Sequence, residues 1–458
     1  MKKRRLRLVA FSLLCLAMIP RGASDFAHGA APALNGRWML TIEDDARRIE
    51  MPVDLRIDAG GRARLVLLGR TEGEEGLFTG ALDAANHLTV AGRMARNTAA
   101  FNLVVNGDRL MGRVEGDFLQ AEVYGTRAPA ADPEVPVKWY DALLGAVLNG
   151  LTQNFYDPKL NGLTAEALRA RYLPKVKAAR NDGELAIAIR QMLAELRTSH
   201  TEFYLAMDKP QVVHKSEAAI WRKIDEQVGY LALLYLPSGR LQDFDGLLNL
   251  AMAEVGKYPS LILDLRGNRG GAVEPALAAL NLLLPEGRRI AYFGTRDALR
   301  RLAVESIDRL DPAALPAAFA DDQIATAKFQ GAGVYLAGGK FRTPYRGRIA
   351  VLIDEGCADG CELLAAALRE AGVATLIGRR TRGSLLLSTS VNFTIIGWTG
   401  FPRNRVRGWQ LEAPIAEVRT ASRRRIESIG LEPDLSVERT STEDADLARA
   451  LAWLKNRE

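Results

Sequence analysis

The sequence predicts an α/β fold, with helices laid on a largely buried sheet, behind a small all-β unit. Two observations carry this. From about 225 to 458 apolar runs of strand length alternate with helical stretches, the pattern of a layered sheet-and-helix domain. From about 34 to 128 short alternating runs are instead separated by tight turns, as in an antiparallel sandwich or barrel. At 458 residues the chain is too long for one hydrophobic core, so two or three domains are expected.

The N-terminus is set apart. Met1–Arg7 is basic, Leu8–Ile19 is an apolar run of 12 residues, and Pro20 and Gly22 break it ahead of the small-residue stretch Ala23–Ala33. That is the layout of a secretory signal peptide over residues 1–30. The run is short for a membrane span, which wants about 20 apolar residues. An N-terminal anchor is the alternative; acylation at Cys15 is disfavoured, because Ser12-Leu13-Leu14 does not offer the small residues that precede an acylated cysteine. The chain is therefore expected to be exported, periplasmic or extracellular, with no stable membrane span after processing.

Removing residues 1–30 takes away Lys2, Lys3, Arg4, Arg5, Arg7 and Arg21 against Asp25, so the formal charge falls from +6 to +1. The basicity belongs largely to the leader and does not point to a nucleic-acid partner. Only Cys357 and Cys361 then remain. Four apart, they are either a local disulfide in an oxidising compartment or two small buried hydrophobes.

Within the β-rich unit, residues 34–128, Trp38–Ile42, Val53–Ile57, Arg64–Leu68, His87–Val90, Ala100–Val105 and Leu119–Tyr124 read as strands. Turns such as Ala59-Gly60-Gly61 and Asn106-Gly107-Asp108 part them. Arg127–Val137, rich in Pro and Ala, reads as a linker. Residues 138–205 form a helical subdomain, with apolar residues at helical spacing over Trp139–Leu151, Ala165–Ala179 and Gly183–Leu196. Beyond 225 come strands at Val228–Tyr235, Leu261–Leu265, Arg348–Ile353, Ala374–Ile377 and Thr389–Ile396. Helices are expected from about Val273 to Leu284 and from Glu362 to Ala371.

Four stretches carry chemistry. Leu261–Gly271 (LILDLRGNRGG) is a strand running into a Gly-rich turn, whose backbone N–H groups can face an anion or oxyanion. Ile349–Glu362 (IAVLIDEGCADGCE) is a buried strand breaking sharply into a helix, an elbow that exposes a side chain at a helix N-terminus. Leu196–Phe203 (LRTSHTEF) places His200 just past a helix end, and Ile426–Asp434 (IESIGLEPD) places Glu427 before Gly and Pro-Asp turns.

Together these stretches resemble the tail-specific, or C-terminal processing, serine peptidases, in the branch similar to the catalytic core of the tricorn protease. That family carries DLRGN-x-GG, G-x-A-S-A-x-E, G-x-x-T-x-G and a late G-[IVL]-x-P-D turn. Here they are Asp264–Gly271, Gly356–Glu362, Gly378–Gly383 and Gly430–Asp434. The resemblance covers roughly 138–458 and implies a crotonase-like ββα-spiral peptidase domain with an N-terminal helical subdomain. The family's serine–lysine members insert a PDZ domain after the helical region. Only about 27 residues separate His200 from Val228, too few for one, and Ser384 occupies the lysine's position.

By the same resemblance His200 is the base, Glu427 its orienting carboxylate, and Gly270 or Gly271 with Gly360 the oxyanion hole. Asp359 falls where the nucleophilic serine belongs. A carboxylate is a weak nucleophile toward amides, and its charge opposes a developing oxyanion, so impaired activity is expected. Cys357, Cys361, Ser384 and Ser388 are weaker substitutes. Flanked by Asp359 and Glu427, His200 is expected to stay protonated near neutral pH. Peptides or protein are the implied partners, with no cofactor and no metal. A non-catalytic peptide-binding or partner-binding relative is the alternative, and a His200–Asp359–Glu427 metal site a third.

Overall fold

The structure, a computed structural model, describes residues 34–44, 47–71, 74–94, 97–116, 119–128, 135–205, 212–214, 217–237, 241–318, 331–338, 344–393, 408–439 and 444–456. The leader and the middle of the Pro/Ala linker lie outside these. Among the described residues no helix is long and apolar enough to cross a membrane.

Eight strands between Gly36 and Arg127 follow one another as antiparallel neighbours. Gly36–Glu43 pairs both with Arg47–Ile57 and with Leu119–Arg127, so the meander closes into a barrel, which removes free edges. Alternate side chains fill it: Trp38, Leu40, Val53, Leu55, Phe78, Leu88, Phe101 and Val123 are all fully buried. Six of the strands match the runs read from the sequence. The other two, Leu77–Leu82 and Arg109–Gly116, carry Gly80, Gly112 and Gly116 in place of β-branched residues, which weakens their signal.

The helices Tyr140–Asn154, Ala165–Ala178 and Asp182–Ala194 follow. Thr164 and Asn181 cap the latter two, each accepting from a backbone N–H of the first turn. These helices are tied to the barrel by buried charge. Arg37 pairs with Asp182, which also accepts from Tyr140 Oη at 3.1 Å. Arg190 donates to the carbonyls of Leu67, Gly69 and Phe203 at 2.6, 2.8 and 2.9 Å.

The remainder is built on two six-stranded sheets. In one, Val228–Leu233, Ser260–Asp264, Arg348–Ile353, Ala374–Gly378 and Leu435–Ser436 run parallel, with Ala219–Lys223 antiparallel at the edge. Helices Val273–Leu283 and Gly360–Glu370 pack on one face, and Ala445–Lys455 on the other. The parallel strands are buried on both faces, which is why Ser260–Asp264 and Arg348–Ile353 read as unbroken apolar runs. In the other sheet Ala317–Ala318, Ala332–Leu336, Arg289–Thr295, Trp409–Thr420 and Leu386–Phe393 lie in that order, with Glu202–Leu205 added beside Trp409–Thr420.

Candidate active site

The strand Arg348–Ile353 leaves the sheet, turns at Asp354–Asp359 and enters the helix Gly360–Glu370. Asp359 sits at the bend with φ +53° and ψ −123°, a conformation that costs a non-glycine residue about 1–3 kcal/mol and must be imposed by its surroundings. Those surroundings are visible. Asp359 N donates to Ser384 O at 3.0 Å and Ala358 N to Asn268 O at 3.2 Å. Cys357 and Cys361 are joined in a disulfide across the bend, both fully buried. This resolves the two readings of the cysteine pair and removes thiol catalysis, since neither sulfur is free to ionise.

Glu362, fully buried, holds the elbow to the Gly378–Gly383 segment. Its carboxylate accepts from Gly383 N and Ser384 N, both at 2.7 Å, from Asp359 N at 3.2 Å, and from the Thr381 hydroxyl. Burial raises its pKa and these donors oppose the rise. Thr381 in turn accepts from Leu431 N at 2.8 Å, which docks the Gly430 turn and, beside it, Glu427.

His200 follows the helix end, in left-handed backbone with φ +57°. Its Nε2 lies 3.8 Å from Asp359 Oδ2, with side chains 14% and 24% exposed. That is an ion-pair contact, too long for a hydrogen bond. On the far side of the ring, Nδ1 lies 2.7 Å from Ser199 Oγ, and Ser199 Oγ donates to Glu427 Oε2 at 2.7 Å. Glu427, 1% exposed, therefore reaches the imidazole through a serine hydroxyl and not directly. Its oxygens also accept from Ser199 N at 2.8 Å and Leu385 N at 3.0 Å. With the Ser199 proton committed to Glu427, the hydroxyl accepts from Nδ1–H, and Nε2 faces Asp359. Burial alone would lower the His200 pKa. The Asp359 carboxylate, with Glu412 and Glu427 behind it, more than reverses this and carries it up to about 9.

Ser199 was not singled out by the sequence reading, although it adjoins His200 in Thr198-Ser199-His200. A hydroxyl next to a candidate base is common, and only the fold shows that it points at Glu427. The same bridge separates the ligands of the supposed metal site. Among the described residues no group of three or more His, Cys, Asp or Glu side chains could hold an ion.

The Gly-rich turn lies against the elbow. A Cβ on Gly270 would come within 2.3 Å of Ala358 O and 2.6 Å of Asp359 Cβ, and its φ is +80°, so glycine is required there. Of the three glycines named for the oxyanion hole, Gly270 gives its N–H to Asn268 Oδ1 at 2.9 Å. Among the described residues no acceptor meets the N–H of Gly271 or Gly360. Asp354 Oδ1 joins turn and elbow, accepting from Gly267 N at 2.8 Å and Gly356 N at 2.9 Å. A cavity of about 360 Å³ opens beside Asp354, lined by Tyr230, Asp264, Arg266, Arg379 and Arg439 among others. His200, Asp359 and Glu427 do not line it.

The class that this fold resembles is a peptidase, with Asp359 at the tip of the elbow. Residues 227–437 match the family model of Peptidase family S41, and residues 142–194 match that of the Tricorn protease C1 domain. The second half of the chain is thus similar to peptidase family S41, behind a helical segment similar to the tricorn C1 domain. Among solved structures, the chain is similar to a candidate peptidase from Parabacteroides merdae ATCC 43184, with 16% identity, a TM-score of 0.50, and coverage of 71% of this chain and 98% of that one. It is also similar to the photosystem II D1 C-terminal processing protease, with 16% identity, a TM-score of 0.42, and 69% and 98% coverage. The tricorn protease aligns with 14% identity, a TM-score of 0.44, and 89% and 43% coverage. No curated protein matches the chain in sequence.

Proposed function

We propose that this chain is an exported S41-type protein that engages peptides or polypeptide ends, with hydrolysis impaired because Asp359 occupies the nucleophile's place. The observation that carries the reading is the Asp359–His200 ion pair on the strained elbow. It impairs peptide hydrolysis in two ways. A carboxylate attacks amides poorly, and the mixed anhydride it would form is far less stable than an ester. The same charge keeps His200 as imidazolium, so the ring that should accept a proton already holds one. The rest of the machinery supports a peptide site: Gly271 and Gly360 offer N–H groups at a helix N-terminus, where an acyl oxygen would be polarised. Export is supported by the basic-apolar leader and by a buried disulfide, a bond that persists in oxidising compartments.

A second reading is favoured by the same pair: the groove binds peptides or a partner without turnover. One experiment tests the nucleophile position on which both rest. Wild-type protein should not label with a fluorophosphonate probe, and should hydrolyse unstructured peptides weakly or not at all. Loss of the nucleophile costs several orders of magnitude. Asp359→Ser should become probe-reactive and gain peptide hydrolysis, and adding His200→Ala should abolish both gains. Vigorous wild-type hydrolysis that survives Asp359→Ala would sink the assignment of the nucleophile position.

A further inference from the structure

We propose that Arg70 is a positioning residue through which the N-terminal barrel holds His200 in the site. This deepens the reading above, since it concerns the same histidine, but it is carried by a different part of the molecule. His200 leads directly into Glu202–Leu205, which pairs antiparallel with the start of Trp409–Thr420, and the register sets Glu202 opposite Glu412. Both glutamates are buried, 8% and 7% exposed. Like charges directly opposite on neighbouring strands repel, and burial makes uncompensated charge far more costly. The strand that carries His200 therefore docks against a charge that opposes it.

A countercharge held by both glutamates comes from the barrel. Arg70, just beyond the strand Arg62–Leu67, donates through Nε to Glu202 Oε2 at 3.3 Å and through a terminal nitrogen to Glu412 Oε2. Its guanidinium lies 5.5 Å from the Tyr204 ring centre. The Ser388 hydroxyl holds the other oxygen of Glu412 at 2.6 Å. The loop bearing Arg70 is fixed from behind. Leu68 O accepts from Leu205 N at 2.7 Å, and Arg190 ties Leu67 O and Gly69 O to Phe203 O. One guanidinium thus bridges two opposed carboxylates, one of them two residues from His200. The other, Glu412, belongs to the set whose charge reaches the imidazole alongside Asp359 and Glu427. The barrel is then part of the site's support.

The test titrates His200 by NMR in the full chain, with histidines labelled and the signal assigned by His200→Gln; the sequence has only four histidines. In Arg70→Ala the loop should undock, Asp359 should lose its partner, and the His200 pKa should fall by ~2 units. Arg70→Lys should recover part of the shift. Arg70→Ala combined with Glu202→Gln should recover most of it, because a single charge then remains between the strands. A folded Arg70→Ala whose His200 titrates at or above the wild-type value would overturn the proposal, since that is what loss of a nearby cation does when position is kept. If Arg70→Ala does not fold, the double variant decides: it should fold and titrate like wild type, and its failure also overturns the proposal. None of these readouts uses peptide hydrolysis, so active wild-type protein would refute the reading of Asp359 and leave this one intact.

Discussion

Replacing Asp359 with asparagine removes the charge opposite His200 while keeping a residue type that tolerates positive φ. The His200 pKa of about 9 stands about 2.5 units above its ordinary 6.5, which corresponds to about 3 kcal/mol of net preference for the imidazolium. Coulomb's law gives the same scale: unit charges near 4 Å attract by about 4 kcal/mol at an effective dielectric constant of about 20 and about 1 kcal/mol in water. At 3.8 Å, with both side chains mostly buried, this pair lies between those limits. Because the folded pKa lies above the unfolded one, the stabilisation is fully present below pH 6.5 and is lost as pH rises through 9. Wild type should therefore lose about 3 kcal/mol relative to Asp359→Asn between pH 6 and pH 10, measured by urea denaturation at both. In the variant His200 should titrate within about one unit of 6.5, burial opposing what Glu412 and Glu427 still supply. A variant His200 that still titrates near 9, or equal pH dependence in the two proteins, would refute the pairing.

Three further outcomes follow from the same geometry. Glu362→Ala leaves the Thr381 hydroxyl and the backbone amides of Gly383 and Ser384 without their acceptor, and should cost roughly 3–5 kcal/mol in chemical denaturation; a loss under ~1 kcal/mol would mean that Glu362 does not anchor the elbow. Gly270→Ala forces a Cβ against Ala358 and Asp359, and should destabilise by roughly 2–4 kcal/mol, with a changed His200 titration; a variant of wild-type stability would contradict the close approach. Mature protein from its native host should begin between Ala23 and Ala33 and resist thiol reagents until reduced. An intact Met1 on cytoplasmic protein, or free thiols in unreduced protein, would remove the case for export.

How much of this was legible depends on which interactions are local. Parallel strands buried on both faces announce themselves as apolar runs, so Ser260–Asp264 and Arg348–Ile353 were readable to within a residue. Trp409–Thr420 was not. Its sequence, WQLEAPIAEVRT, contains Pro414 and the charges Glu412, Glu417 and Arg419, which look like loop chemistry. Two of these charges find a partner across the fold, Glu412 in Arg70 and Arg419 in Asp308, while Glu417 pairs locally with Arg419.

By itself the sequence determined the two-part architecture, the Gly-rich turn, the elbow and the identity of its tip. These follow from periodicity, from glycine where backbone must pass close to backbone, and from motif spacing along one chain. His200 and Glu427 became candidates through the resemblance to the tail-specific peptidases. Tertiary structure alone decided that Ser199 stands between His200 and Glu427, that Gly270 gives its amide to Asn268, and that the cysteines bond across the bend. It also decided that a barrel arginine reaches the strand behind His200. Each of these depends on where a hydroxyl, an amide, a thiol or a guanidinium points once distant segments meet. Spacing along the chain fixes which groups are near in sequence; only packing fixes which of them face each other.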